Sequence, residues 1–201
     1  MNRTTCVTRP WQVLLIGGAS GAGKTSVSYR LAHHFNVGIT EVDDFQVILE
    51  RMTTPEQQPE LHWRPTHPEA NRLLADEIAE HLIDVCSVMA PALEAVIKNH
   101  LESKAPVILE GDFILPALAA QTSFCGYPGD GQVRAVIIDE DDEAQLVRNF
   151  EGRESILQPE RARVSWLYGR WLKQEAEASS AAVIAARPWQ TLFERVLQAV
   201  T

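Results

Sequence analysis

An apolar run that empties into a glycine-rich turn and then a lysine-threonine pair leaves a chain few folds to choose from. Residues 13–32 read VLLIGGASGAGKTSVSYRLA, and Gly18 to Thr25 fits the phosphate-binding pattern GxxxxGK[ST] at every fixed position. Val13 to Ile16 suits a strand buried on both faces, and after Thr25 the apolar residues Val27, Leu31 and Phe35 fall at helical spacing. Strand, glycine loop and helix form the setting in which this pattern binds phosphate.

The residue types follow from the chemistry of a triphosphate, whose oxygens must be met by several backbone N–H groups at once. Gly18, Gly21 and Gly23 leave room for that approach. The next helix offers unpaired N–H donors and the positive end of its dipole, Lys24 reaches the β- and γ-phosphates, and Thr25 is placed to ligate Mg²⁺. The expected nucleotide contacts run through Gly18, Ser20, Gly21, Ala22, Gly23, Lys24, Thr25 and Ser26.

With 201 residues, 45% of them hydrophobic, the chain suffices for one well-buried core and is short for two enzymatic domains, so residues 1–201 read as one domain. Eighteen basic against 27 acidic residues give a net charge of −9, which supplies no field favouring nucleic acid or an anionic membrane. Cys6, Cys86 and Cys125 lack metal or disulfide spacing. The N-terminus has no apolar signal core and no run is long enough to span a bilayer, so the expected location is cytoplasmic, as a monomer or homodimer.

Val37–Val42 reads as a second strand ending at Asp43-Asp44-Phe45. A carboxylate at the carboxyl end of a parallel strand faces the ligand crevice, so Asp43 or Asp44 is a candidate base, while Asp44 could instead cap the helix Phe45–Arg51. Residues 52–68 contain four prolines and read as a long loop, in which Trp63 and Arg64 are candidate acceptor contacts. From Glu69 to Glu102 apolar residues recur at three- and four-residue steps, as one helix kinked at Pro91 or as two.

Pro106–Leu109 reads as a third strand ending at Glu110-Gly111-Asp112, where Glu110 and Asp112 both qualify for the metal shell, Glu110 also for the substrate side, and Asp112 could instead cap a helix over 113–121. Residues 122–132 read as a surface connection, Val133–Ile138 as a fourth strand, and Asp139–Glu143 as a solvated acidic complement to a helix dipole. Arg148, Arg153, Arg161, Arg163 and Arg170 then cluster within 23 residues. A helical lid over about 151–178 would bring Arg153, Arg161 and Arg163 to a moving phosphoryl group, the alternative being arginines paired with nearby glutamates. Ala181–Ala185 reads as a fifth strand, Arg187-Pro188 as a turn beside the nucleotide base, and Gln190–Val200 as an amphipathic helix.

Together these motifs resemble the small-molecule kinases of the P-loop class. Val42-Asp43-Asp44-Phe45 is similar to the D[DS]F strand end of uridine kinases, nicotinamide riboside kinases and phosphoribulokinases, and Leu109-Glu110-Gly111 to their apolar-strand-EG element. The phosphate loop and the arginine cluster are also similar to 2-phosphoglycerate kinase-like proteins and chloramphenicol phosphotransferase. The resemblance implies Asp43 at the acceptor hydroxyl and Glu110 at the metal.

The combined expectation is a three-layer α/β/α fold with a five-stranded parallel sheet and a helical lid, moving the γ-phosphoryl of ATP, with Mg²⁺, to a hydroxyl of a small metabolite. The rival is an adenine-nucleotide-dependent switch or slow ATPase acting through a protein partner. A guanine switch or a transporter motor is disfavoured, because neither an [NT]KxD nor an LSGGQ element is present.

Overall fold

The apolar run becomes β1 (Val13–Gly18), in which all six residues are buried. Such a strand can lie only in the interior of a sheet covered on both faces. The structure, a computed structural model, describes residues 9–67 and 73–201. Cys6, Pro68 and the Glu69 end of the expected helical segment lie outside the described residues.

From β1 the chain passes to α1 (Lys24–Phe35), β2 (Gly38–Glu41), α2 (Val42–Met52), the single turn α3 (Trp63–Thr66) and the 29-residue α4 (Ala75–Ser103). It continues through β3 (Val107–Gly111), a hairpin of β4 (Ser123–Phe124) and β5 (Tyr127–Pro128), β6 (Val133–Asp139), α5 (Glu143–Glu154), α6 (Pro159–Ala178), β7 (Ala182–Ala185) and α7 (Leu192–Val200). The main sheet has five strands in the order β2-β3-β1-β6-β7, and every pairing is parallel. The α/β fold with a five-stranded parallel sheet is therefore as the sequence predicts.

Strand alternation divides the core into two layers. Leu14 and Ile16 pack with Leu31 and Phe35 of α1 and Val196 of α7 on one face. Val13 and Leu15 pack with Met89, Leu93 and Ile97 of α4 on the other, where Tyr168 and Leu172 of α6 extend the layer over Ile137.

Of the two forms expected for the segment around Pro91, α4 is the single helix; the proline is on its exposed face, where water can take the carbonyl left without a donor. Three local readings change. α2 begins at Val42, so Asp43 and Asp44 occupy its first turn and the cap position falls to Glu41, not Asp44. First-turn carboxylates are favourable at the positive end of the helix dipole. Residues 113–121 hold only a 3-10 turn, Pro116–Ala120, and Asp112 caps nothing because its carboxylate is taken by Lys24. The connection over 122–132 carries the β4–β5 hairpin and inserts Phe124, fully buried, into the α4 side of the core.

Leu93 is buried at the centre of the α4 face. Its replacement by alanine is expected to lower the unfolding free energy by about 2–5 kcal/mol, read from a urea titration as a shifted midpoint with unchanged slope.

Candidate active site

At the carboxyl ends of the strands, the loop between β1 and α1 opens into a cavity of about 590 Å³. The loop can take its path only because two positions lack a side chain. A Cβ on Gly18 would lie 2.4 Å from the Ile138 carbonyl oxygen, and one on Gly23, which has φ 93°, would run into the Trp189 ring. α1 starts with no acidic residue in its first turn and no side-chain cap, so its first N–H groups are left to face the cavity.

Lys24 is 5% exposed, and its Nζ donates to the Ala19 carbonyl at 3.1 Å and to Asp112 Oδ1 at 2.5 Å. The Thr25 hydroxyl donates to Glu110 Oε1 at 3.2 Å, and Glu110 itself is only 4% exposed. Burial pushes the Glu110 carboxyl above its ordinary pKa, against the pull of Lys24 and of the Thr25 hydrogen bond. Asp43 is raised as well, by desolvation and by the Asp112 carboxylate, with Lys24 and the Asp112 N–H acting in the opposite sense. Tyr168 of α6 donates to the Asp112 carbonyl at 2.7 Å and so fixes the residue that holds Lys24.

The opposite end of the cavity is basic and aromatic, lined by Asn149, Arg153, Arg187 and Trp189. Asn149 donates to the Gly21 carbonyl at 2.9 Å and accepts from Arg187 Nη2 at 3.1 Å, tying the phosphate loop to the turn after β7. Arg187 Nε donates to Glu140 Oε2 at 2.9 Å, and Lys173 pairs with Asp139 at 2.8 Å. Asp139 and Glu140 are thus buried ion-pair partners instead of a solvated face; Asp142 alone caps α5, accepting from the Ala144 N–H at 2.9 Å.

Of the residues expected at the site, the fold brings Ser20, Gly21, Gly23, Lys24, Thr25, Ser26, Asp43, Glu110, Arg153 and Arg187 to one cavity. Gly18 and Ala22 shape the loop without lining the cavity, and Asp44 is not among the residues that line it. Trp63 and Arg64 lie elsewhere: Trp63 stacks on His81 at 4.2 Å and His67 at 5.3 Å, over a separate depression. Arg153 pairs with Glu154 at 2.7 Å while lining the cavity, Arg161 pairs with Glu154 at 2.8 Å and Arg163 with Glu143 at 2.8 Å, which is the glutamate-pairing alternative for all three. The segment expected as a lid is anchored, since Tyr168, Leu172 and Ala176 of α6 are core residues.

Sequence reasoning missed Glu41, Asn149 and Trp189, all of which line the cavity. Glu41 had a signal in strand parity, being two residues from Asp43 at the end of β2. Asn149 and Trp189 had none, because each reaches the loop only through the tertiary fold.

No family model matches the chain. A curated relative, 2-phosphoglycerate kinase of Methanococcus vannielii, is 27% identical over 120 residues, covering 54% of this chain and 38% of that protein. The chain thus spans well under half the length of the curated relative it matches. Among solved structures it is similar to TT1252 of Thermus thermophilus, with TM-score 0.48 and 18% identity over 96% of this chain and 97% of that one. It is also similar to gluconokinase of Sinorhizobium meliloti, with TM-score 0.46 and 16% identity over 95% and 91%, and to shikimate kinase of Acinetobacter baumannii, with TM-score 0.46 and 17% identity over 94% and 92%. The resemblance to small-molecule kinases read from the phosphate loop is met again in the curated relative, a kinase by name.

The buried, raised carboxyl of Glu110 gives a stability prediction for the ligand-free protein. A carboxyl whose folded pKa exceeds its unfolded one costs stability as pH rises from the unfolded value through the folded one. Glu110→Gln is therefore expected to unfold at a higher temperature than the wild type at pH 7. The gain should shrink as the medium is acidified and wild-type Glu110 takes up its proton, which paired thermal melts across that range will read.

Proposed function

We propose that this chain is an ATP- and Mg²⁺-dependent phosphotransferase that delivers the γ-phosphoryl group to a hydroxyl of a small molecule. One observation carries the reading: Lys24, Thr25, Asp43 and Glu110, drawn from three different strand ends, converge on a single cavity at the mouth of the phosphate loop.

The donors present fit a magnesium ion held mainly by phosphate and water. Among the described residues no three His, Cys, Asp or Glu side chains are grouped to cage a metal, and Mg²⁺ commonly takes only one or two protein ligands beside a nucleotide. Thr25 and Glu110 would hold it, Glu110 through a carboxylate whose burial a nearby cation offsets. The ion supplies neutralisation of the phosphate oxygens.

The loop amides and Lys24 bind and orient the triphosphate, with Arg153 and Arg187 at the nucleotide end. Asp43 accepts the proton of the acceptor hydroxyl as that oxygen bonds the γ-phosphorus and the bridging P–O bond to ADP breaks. Its raised pKa brings Asp43 closer to the operating pH of a general base. In this reading the described residues act as one catalytic unit.

Transfer of labelled γ-phosphoryl to a metabolite pool tests the proposal, since a switch would yield only inorganic phosphate. Lys24→Ala is expected to abolish both ATP binding and transfer. Asp43→Asn should bind ATP as the wild type does, while kcat falls roughly 10²–10⁴-fold; full turnover in that variant would remove Asp43 from the chemistry.

A further inference from the structure

The order of the strands sorts the charges along the cavity. β2 and β3, at one end of the sheet, contribute Glu41, Asp43 from the turn after β2, Glu110 and Asp112; Arg153 and Arg187 come from α5 and the turn after β7, at the other end. The phosphate loop stands between them on β1. A nucleotide, carrying its own negative charge, suits the basic end, so the acceptor falls to the acidic one.

Glu41 is the member of that acidic end which phosphate and metal binding leave unexplained. It is the register partner of Glu110 on the adjacent parallel strand, so two carboxylates point the same way from neighbouring positions. Like charges side by side on a sheet are destabilising. The Tyr29 hydroxyl donates to Glu41 Oε1 at 2.8 Å and holds the carboxylate of this cavity-lining residue.

The acidic end also lacks a cation for an anionic acceptor. Among the described residues lining the cavity, the basic side chain nearest to it is Lys24, which Asp112 engages and which the triphosphate requires. Arg64 and Arg51 belong to segments outside the cavity lining.

We propose that Glu41, anchored by Tyr29, selects the acceptor, and that the acceptor is an amino alcohol, amino sugar or neutral polyol with N–H or O–H donors and no carboxylate or phosphate group. The inference rests on the phosphotransferase reading. A carboxylate or phosphate acceptor would enter against Glu41, Asp43 and Asp112 with no free positive partner among the described residues that line the cavity. An ammonium or hydroxyl group instead donates to Glu41 and brings a neighbouring hydroxyl to Asp43.

The test offers the intact protein, with magnesium and γ-labelled ATP, two pools of matched size. One contains amino alcohols, amino sugars and neutral polyols; the other hydroxy acids, sugar acids and sugar phosphates. Label is expected in the first pool only. Once an acceptor is found there, Glu41→Gln should raise its KM roughly 10–100-fold, the loss of one hydrogen bond to a charged group, with kcat and the KM for ATP retained. Tyr29→Phe, which keeps the carboxylate but frees it, should raise the same KM less. Label in the anionic pool, or an unchanged acceptor KM in Glu41→Gln, overturns the inference while leaving the phosphotransferase reading intact. Failure to bind ATP, or ATP bound with label in neither pool, marks instead the failure of the phosphotransferase reading, and the inference falls with it.

Discussion

An ammonium group buried beside a turn of bare backbone is the constraint on which this structure depends. Lys24 is held out of water by the loop that carries it, and an unpaired buried charge of this kind costs several kcal/mol, on the order of 3–5 when a partner is removed. Asp112 and the Ala19 carbonyl meet that requirement. Asp112 is in turn fixed by Tyr168 from α6 and stands close enough to Asp43 on α2 to perturb its carboxyl. One ion pair therefore ties the phosphate loop to the ends of two further strands and to the opposite helical layer. It also stands in for the ligand: the carboxylate oxygen on Lys24 has the charge and hydrogen-bonding character of a phosphate oxygen.

The same arrangement explains why the site is costly to keep. Glu41, Asp43, Glu110 and Asp112 share one end of the cavity, and two of them, Asp43 and Glu110, are pushed toward protonation by burial and by the Asp112 and Glu41 carboxylates. Perturbed carboxyls of this kind cluster where chemistry is done, and their strain is relieved by what the site receives. A fold selected for stability alone would replace Glu110 with an apolar residue, as its neighbours Ile108 and Leu109 in β3 already are.

What could be read in the sequence was what local pattern dictates. The strand-loop-helix unit around Lys24, the five strands and the carboxylates at the ends of the second and third all follow from short runs whose periodicity and apolarity admit one setting. Tertiary decisions could not be read. Whether Arg161 and Arg163 face phosphate or glutamate depends on where α5 and α6 cross, and the structure pairs them with Glu154 and Glu143. Asp139 and Glu140 looked like a solvated run until Lys173 and Arg187, 34 and 47 residues away, arrived as partners. Trp63 has the composition of a binding residue, yet its stacking on His67 and His81 places it against α4 instead of the phosphate loop.

The account turns on Lys24 exchanging one anion for another, and a structure of the protein with magnesium and a non-hydrolysable ATP analogue observes that directly. It should show Lys24 Nζ released from Asp112 and bonded to the β- and γ-phosphates, with the terminal phosphate between Lys24 and Asp43. A triphosphate bound away from the loop, or a Lys24–Asp112 pair unbroken beside it, would contradict the account.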